Sequence, residues 1–140
     1  MKIGVFDSGV GGLTVLKALT QKLPAAEYLY FGDTARLPYG SKSVATVEKF
    51  AIEAACYLEE RGIDILVVAC NTATALALPA IREAVGIPVE GVIEPGAERG
   101  AAATRRGKVV VIATAATIGS HAYRHALEGR AIEVCEKACP

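Results

Sequence analysis

The chain has 140 residues and equal numbers of basic and acidic side chains, 15 of each, so its formal net charge is zero. Such a length predicts one ordinary domain that buries about two-thirds of its unfolded surface, and the neutral balance argues against nucleic-acid binding. No apolar run reaches the roughly 18 residues of a membrane span, and the start lacks a signal-peptide core. The four cysteines show no paired framework, which favours reduced thiols in a cytoplasmic protein.

The first predicted strand and helix enclose a glycine-rich turn. Residues 3–6 predict a buried strand and residues 13–23 a helix, with Asp7-Ser8-Gly9-Val10-Gly11-Gly12 between them. Such a layout offers backbone N–H groups to an anion, but Thr14 replaces the third glycine of the dinucleotide fingerprint and no phosphate-loop ending is present. Asp7 would repel a phosphate. Two interpretations of Asp7 remain: it caps the helix, or it tunes the proton transfers of a nearby thiol.

A second strand at residues 27–31 opens into a long loop at residues 32–41. Pro38 stiffens this loop, and Gly40 allows either a positive φ angle or the close approach of a ligand. Arg36 and Tyr39 could reach a small anionic substrate. For Asp33 and Arg36, a local ion pair that only shapes the loop is the favoured interpretation.

A long helix with a buried stripe is predicted next. Ser43 is a suitable N-cap, the helix ends near Arg61, and Gly62 is its stop. Apolar side chains recur at helical spacing at Val44, Val47, Ala51, Ala54, Ala55 and Leu58. Cys56 lies beside this stripe, which indicates packing.

The central strand, residues 65–69, ends at Cys70-Asn71-Thr72. Ligands of open parallel sheets bind at the carboxyl ends of the strands, so Cys70 lies where a nucleophile or proton-transfer base would be placed. The alternative is that Cys70 is a small apolar plug, since free cysteines are often buried. Because Pro79 is disfavoured inside a helix, we expect a short turn at residues 72–76 and a new helix at residues 79–85.

The rest of the chain continues the alternation of strands and helices. We expect strands at 89–93, 108–113 and 131–135 and helices at 96–104 and 120–127. The spacings of His121 with His125, and of Cys135 with Cys139, could suit a metal, but neither pair has further ligands, so no metal site is predicted. The predicted fold class is α/β, with an open, mostly parallel sheet and helices on both faces.

The strand ends place several polar groups at one edge of this sheet. They comprise one thiol, one carboxylate, and hydroxyl, amide and backbone donors, contributed by Asp7-Ser8, Tyr39-Gly40, Cys70-Asn71-Thr72 and residues 114–117. Such a set suits a small zwitterion whose carboxylate is held by the donors while the thiol faces its α-carbon.

These motifs resemble those of the glutamate racemases. Asp7-Ser8-Gly9-Val10-Gly11-Gly12, Tyr30-Phe31-Gly32-Asp33 followed by Pro38-Tyr39-Gly40, and Ala69-Cys70-Asn71-Thr72-Ala73 occur in the family's order and at suitable spacing, and Thr114 with Thr117 fits a later threonine pair. The resemblance spans the whole chain. It implies cofactor-independent interconversion of L- and D-glutamate, which supplies D-glutamate for peptidoglycan, in a homodimer that binds neither nucleic acid nor membrane.

The resemblance also implies the roles of individual residues. Cys70 is one of two thiol bases that act on opposite faces of the substrate, and Asp7 is its assisting carboxylate. The substrate-binding positions implied by the resemblance are Asp7, Ser8, Tyr39, Gly40, Asn71, Thr72, Thr114 and Thr117. One base alone would return the proton to the face it came from, so inversion needs a second one.

One departure from the family bears on activity. The family's second catalytic cysteine lies in a Cys-Thr-His motif well beyond residue 140, whereas Cys135 and Cys139 precede Glu136 and Pro140. We therefore expect the N-terminal portion of such a protein: residues 1–97 as a first lobe that a C-terminal segment completes, and residues 98–140 as the opening of a second lobe. The alternatives are an aspartate or related amino-acid racemase, and a non-catalytic glutamate-binding fragment.

Overall fold

Six parallel strands form two sheets in the computed structural model, which describes residues 1–139. The larger sheet has the order β2-β1-β3-β4 and consists of β1 (Lys2–Asp7), β2 (Glu27–Gly32), β3 (Ile65–Val68) and β4 (Val89–Gly91). The smaller pairs β5 (Lys108–Ala113) with β6 (Glu133–Ala138). The α-helices are α1 (Leu13–Lys22), α2 (Val44–Glu59), α3 (Asn71–Ala84), α4 (Ile93–Ala103), α5 (Ala115–Gly119) and α6 (Ala122–Ala126), and a 3₁₀ turn spans Tyr39–Ser41.

Helices cover both faces of the larger sheet. Successive side chains of a strand point to opposite faces, so each strand contributes to both layers. Phe6 of β1 and Leu66 of β3 belong to the main core with α2 and α3. Ile3 and Val5 face the other side, where they pack against apolar residues of α1. Burying each such side chain contributes about 1.5–3 kcal/mol. The expected parallel sheet with helices on both faces is confirmed.

Several local predictions are confirmed as well. The Ser43 hydroxyl accepts the backbone N–H of Thr46 at 3.2 Å and so caps α2. Gly62 follows this helix with φ +72°, a conformation that suits glycine. Cys56 packs, half-buried, against the main core. These positions were predictable because each depends on neighbours close in sequence.

The predicted break around Pro79 is wrong: α3 runs unbroken from Asn71 to Ala84 with Pro79 inside it. A proline within a helix costs about 3 kcal/mol. Pro79 itself is exposed, whereas Ala73, Ala77 and Ile81 on the opposite face are buried in the main core. Burial of that stripe against α2 outweighs the lost backbone hydrogen bond.

In the second half, three predicted boundaries need correction. β4 ends at Gly91, so Ile93 begins α4 and Pro95 lies in that helix's first turn, where proline is tolerated. The helix predicted at 120–127 is shorter, since α6 begins at Ala122 after His121, which adopts φ 53°, and the preceding short helix α5 was not expected. The last strand is β6, two to three residues later than predicted.

The lobe boundary predicted between residues 97 and 98 falls inside α4, a continuous helix, and it stays a prediction. Within residues 1–139, no helix is long and apolar enough to cross a membrane.

Candidate active site

A cleft of about 540 Å³ lies at the carboxyl end of the larger sheet. Its walls come from the turn after β1, the loop before the 3₁₀ turn, and the start of α3, and the smaller sheet's side adds Thr114 and Tyr123. Parallel strands end at one edge, so residues far apart in sequence meet here. The predicted site residues that line the cleft are Asp7, Ser8, Tyr39, Gly40, Cys70, Asn71, Thr72 and Thr114.

Asp7 is nearly buried, at 7% exposure, and organises the turn after β1. Its Oδ2 accepts the backbone N–H groups of Gly9 at 3.0 Å and of Gly12 at 3.1 Å. A Cβ at Gly12 would stand 2.6 Å from the Cβ of Asp7, so glycine permits the turn to fold back on the carboxylate. Asp7 thus orders the turn that leads into α1, but it does not occupy the N-cap position of that helix, which is Gly12. Its effect on a nearby thiol stays a prediction.

Cys70 lies between β3 and α3 and is the N-cap of α3. Its Sγ accepts the backbone N–H of Ala73 at 3.4 Å, and the thiol donates to Ser8 Oγ at 3.4 Å. The side chain is packed at 5% exposure yet borders the cleft. The sulfur therefore lies at the N-terminus of α3, where backbone N–H groups and the helix dipole favour a negative charge.

Tyr39 is held by the buried carboxylate of Asp33, a residue of the same loop. Its hydroxyl donates to Asp33 Oδ2 at 2.5 Å, and burial and this bond raise its pKa well above the usual value. The predicted ion pair is confirmed, since Arg36 Nε donates to the same oxygen at 2.7 Å. Arg36 Nη1 also donates to Glu53 at 2.5 Å, so this cation shapes the loop. The Tyr39 hydroxyl is therefore committed to Asp33.

Gly40 brings the loop against the smaller sheet's side of the molecule. A Cβ on Gly40 would stand 2.6 Å from the Cβ of Thr114, and the backbone of Gly40 does not have a positive φ angle. The glycine therefore serves close approach, and the neighbour in this structure is a threonine side chain.

Three threonine hydroxyls form a ring where α3 meets α5. Thr72 Oγ1 lies 2.9 Å from Thr114 Oγ1 and 3.2 Å from Thr117 Oγ1, and the last two are 3.0 Å apart. Thr117 is 1% exposed and is the one predicted site residue that does not line the cleft. The ring connects α3, which follows the larger sheet, with α5, which follows the first strand of the smaller sheet. A direct contact of Thr117 with a ligand stays a prediction.

Two tyrosines in or beside the cleft were given no role in the sequence analysis, although Tyr30 belongs to one of its motifs. The Tyr30 hydroxyl donates to the carbonyl of Gly9 at 2.9 Å, and burial, with the charge of Asp7, raises its pKa to about 12. The Tyr123 hydroxyl donates to Asn71 Oδ1 at 2.5 Å. The alternation of β2 could have indicated Tyr30, which shares a sheet face with Tyr28, whereas Tyr123 depends on how the second sheet lies against the first.

Residues 1–139 contain no group of three or more histidine, cysteine, aspartate or glutamate side chains that could hold a metal ion. His121 Nδ1 instead lies 2.8 Å from Glu136 Oε2, and His125 Nε2 lies 3.8 Å from Glu128.

Comparison with known proteins relates this chain to a family. The sequence profile of Asp/Glu/Hydantoin racemase matches residues 3–140. The glutamate racemase of Koribacter versatilis is 58% identical over 138 residues, which are 99% of this chain and 47% of that protein. The chain spans about half the length of the curated relatives it matches.

Solved structures agree. The glutamate racemase from Aquifex pyrophilus superposes with a TM-score of 0.97 at 49% identity, over 100% of this chain and 56% of that one. The glutamate racemase from Francisella tularensis, in complex with D-glutamate, gives 0.89 at 44% identity, over 99% and 52%. The chain belongs to the Asp/Glu/Hydantoin racemase family.

Proposed function

We propose that the protein interconverts L-glutamate and D-glutamate by proton transfer at the α-carbon, with Cys70 as one base. The observation that carries this proposal is the thiol of Cys70, held at the N-terminus of α3 and at the wall of a cleft ringed by donors. The D-glutamate complex of the Francisella tularensis relative supports the choice of ligand.

The cleft supplies groups for each part of the substrate. Asn71 is exposed at the first turn of α3, where its amide and nearby backbone N–H groups suit a carboxylate. Ser8 and Thr72 add hydroxyls next to the thiol. With the substrate so held, the Cys70 thiolate is placed to remove the α-proton at hydrogen-bond reach. Asp7 assists as the neighbouring carboxylate, and thiol chemistry of this kind needs no cofactor.

Inversion requires a proton donor on the opposite face of the α-carbon. Among residues 1–139, the cleft is lined by one thiol, that of Cys70, while Cys135 and Cys139 are exposed elsewhere. We infer that a second thiol enters from outside these residues. The proposed lobe boundary near residue 97 is consistent with this, because residues from both sides of that boundary line the cleft.

Two alternatives compete with this proposal. An aspartate or related amino-acid racemase would use the same thiol chemistry on a shorter side chain. A binding fragment would hold glutamate without moving its α-proton. The identities of 44–58% to proteins named glutamate racemase favour glutamate.

The biological setting is proposed from the resemblance alone. We infer a homodimer in the cytoplasm that supplies D-glutamate for peptidoglycan. The four cysteines fit a reducing compartment, since none forms a disulfide among residues 1–139. Sedimentation of the purified protein tests the dimer.

The test of the proposed reaction is proton NMR of L-glutamate with the protein in D₂O, alongside polarimetry. Loss of the α-proton signal with decay of optical rotation is the expected result for the protein as its gene encodes it. Loss of the signal with rotation retained would show one working base. A folded protein that binds glutamate but exchanges nothing would support the binding fragment, and exchange with aspartate alone would support the aspartate racemase.

A further inference from the structure

We propose that Tyr123 is a positioning residue, whose hydroxyl holds the side-chain amide of Asn71 so that its NH₂ group faces the substrate carboxylate. This inference rests on the proposed function, in which Asn71 contacts glutamate. Nothing in the sequence motifs pointed to Tyr123.

The contact joins the two halves of the molecule. Tyr123 belongs to α6, beside the smaller sheet, and Asn71 is the first residue of α3, at the end of the larger sheet. The hydroxyl donates to Asn71 Oδ1 at 2.5 Å, and both side chains line the cleft. Burial raises the pKa of Tyr123, which keeps its phenol protonated and able to donate.

The chemistry of an amide explains why this bond matters. A carboxamide has an oxygen acceptor at one end and an NH₂ donor at the other. When the oxygen is bound by Tyr123, the NH₂ group is directed away from the hydroxyl and is free to donate. If the amide turned over, its oxygen would face the substrate carboxylate and repel it. A fixed amide therefore favours an anionic ligand at no ordering cost upon binding.

Tyr123 is itself held in place from both sides along the chain. Glu136 Oε2 lies 2.8 Å from His121 Nδ1 and accepts from Arg124 Nε at 3.1 Å, so one carboxylate ties down the residues that flank Tyr123. A Cβ at Gly96 would stand 3.4 Å from the Tyr123 ring, so α4 offers a closely fitting surface to it. The ring thus has a fixed position from which to orient Asn71.

The test compares Tyr123→Phe with Tyr28→Phe in the protein as its gene encodes it. Tyr28 is a matched control because its hydroxyl also forms hydrogen bonds, but outside the cleft. It lies 2.9 Å from the carbonyl oxygens of both Leu19 and Leu23. For Tyr123→Phe we expect the KM for L- and D-glutamate to rise about tenfold, because the one hydrogen bond that orients the Asn71 amide is lost. We expect kcat to change less than twofold, and both constants to be unchanged in Tyr28→Phe.

Two further readouts separate positioning from a general structural effect. The side-chain ¹⁵N–H₂ signals of Asn71, recorded without ligand, should shift in Tyr123→Phe and stay in place in Tyr28→Phe. In an Asn71→Ala background, adding Tyr123→Phe should weaken glutamate binding less than twofold. A tenfold loss in that background, or unchanged Asn71 signals in Tyr123→Phe, would overturn the inference.

The experiments distinguish a failure of the proposed function from a failure of this inference. If the unaltered protein neither binds nor exchanges glutamate, the proposed function fails, and the ligand-free Asn71 signals still show whether Tyr123 holds the amide. If the unaltered protein binds glutamate and Tyr123→Phe keeps its KM, the inference alone fails.

Discussion

The larger and the smaller sheet differ in how completely they are covered. Five of the six residues of β1 are buried, with helices on both faces. In β5 only Val111 is buried, while Val110 and Ile112 are 67% and 70% exposed, and β6 has no buried residue. Within residues 1–139, the same parallel arrangement therefore has a two-sided core in the larger sheet and a one-sided layer in the smaller sheet.

This difference matches a division of chemical roles. The groups proposed to move protons, Asp7 and Cys70, follow strands of the well-covered sheet. The smaller sheet's side contributes Thr114 and Tyr123, whose hydroxyls bond to residues of α3. The groups proposed to react thus follow strands of the well-covered sheet, and the less covered side adds hydrogen bonds to Thr72 and Asn71 beside them.

The largest expected effect comes from the thiol. Replacing Cys70 by serine should lower α-proton exchange by about 1000-fold, because a hydroxyl is a far weaker base and a positioned base contributes on the order of 10²–10⁴ in rate. Cys135→Ser on exposed β6 is the control and should retain full exchange. Proton NMR in D₂O measures both. Equal exchange by the two variants would show that the well-covered sheet does not carry the base.

Asp7→Asn separates the two interpretations of Asp7. The asparagine oxygen can still accept the N–H groups of Gly9 and Gly12, so the turn keeps its shape, but the negative charge is lost. If the carboxylate assists Cys70, exchange should fall about 100-fold with little change in Tm. An unaltered exchange rate would mean that Asp7 only orders the turn after β1.

A pair of core substitutions tests the contrast in covering directly. In the 140-residue chain, Leu66→Ala in β3 should lower the free energy of unfolding by about 2–5 kcal/mol, since Leu66 is fully buried. Val110→Thr in β5 should change it by less than about 0.5 kcal/mol, as for other exposed positions. Urea unfolding measures both free energies. Similar losses for the two would contradict the one-sided layer.

Acid should loosen the smaller sheet through Glu136. Hydrogen bonds from His121 and Arg124 outweigh the effect of burial and hold the pKa of Glu136 below its usual value. A lowered pKa gives stability that is present above the unfolded pKa, about 4.3, and is lost as the pH falls through the folded value. Amide exchange in β5 and β6 should therefore accelerate below about pH 4. In Glu136→Gln this acid-dependent step should be absent, and its persistence there would point to other groups.

Much of the larger sheet was predictable from the sequence because its signals are local. An apolar run such as Ile65–Val68 and a cap such as Ser43 act through adjacent residues, and strand ends of a parallel sheet gather at one edge. Hence most of the expected site residues do line one cleft.

The predictions from sequence failed where contacts between residues far apart in the chain determine the structure. Burial against α2 keeps α3 intact through Pro79, and the bond of His121 to Glu136 accompanies the break before α6. The enclosed position of Thr117 and the reach of Tyr123 to Asn71 depend on how the two sheets meet. The residue pattern within a single segment carries no information about how the two sheets pack against each other.

The central claim is that glutamate occupies the cleft against Cys70, and differential alkylation tests it within one molecule. Iodoacetamide labelling, followed by mass spectrometry at each cysteine, compares buried Cys70 with exposed Cys135. The account predicts that added glutamate slows labelling of Cys70 saturably and leaves the rate at Cys135 unchanged. Labelling of Cys70 that is indifferent to glutamate at every concentration, in a protein shown to be folded, would contradict it.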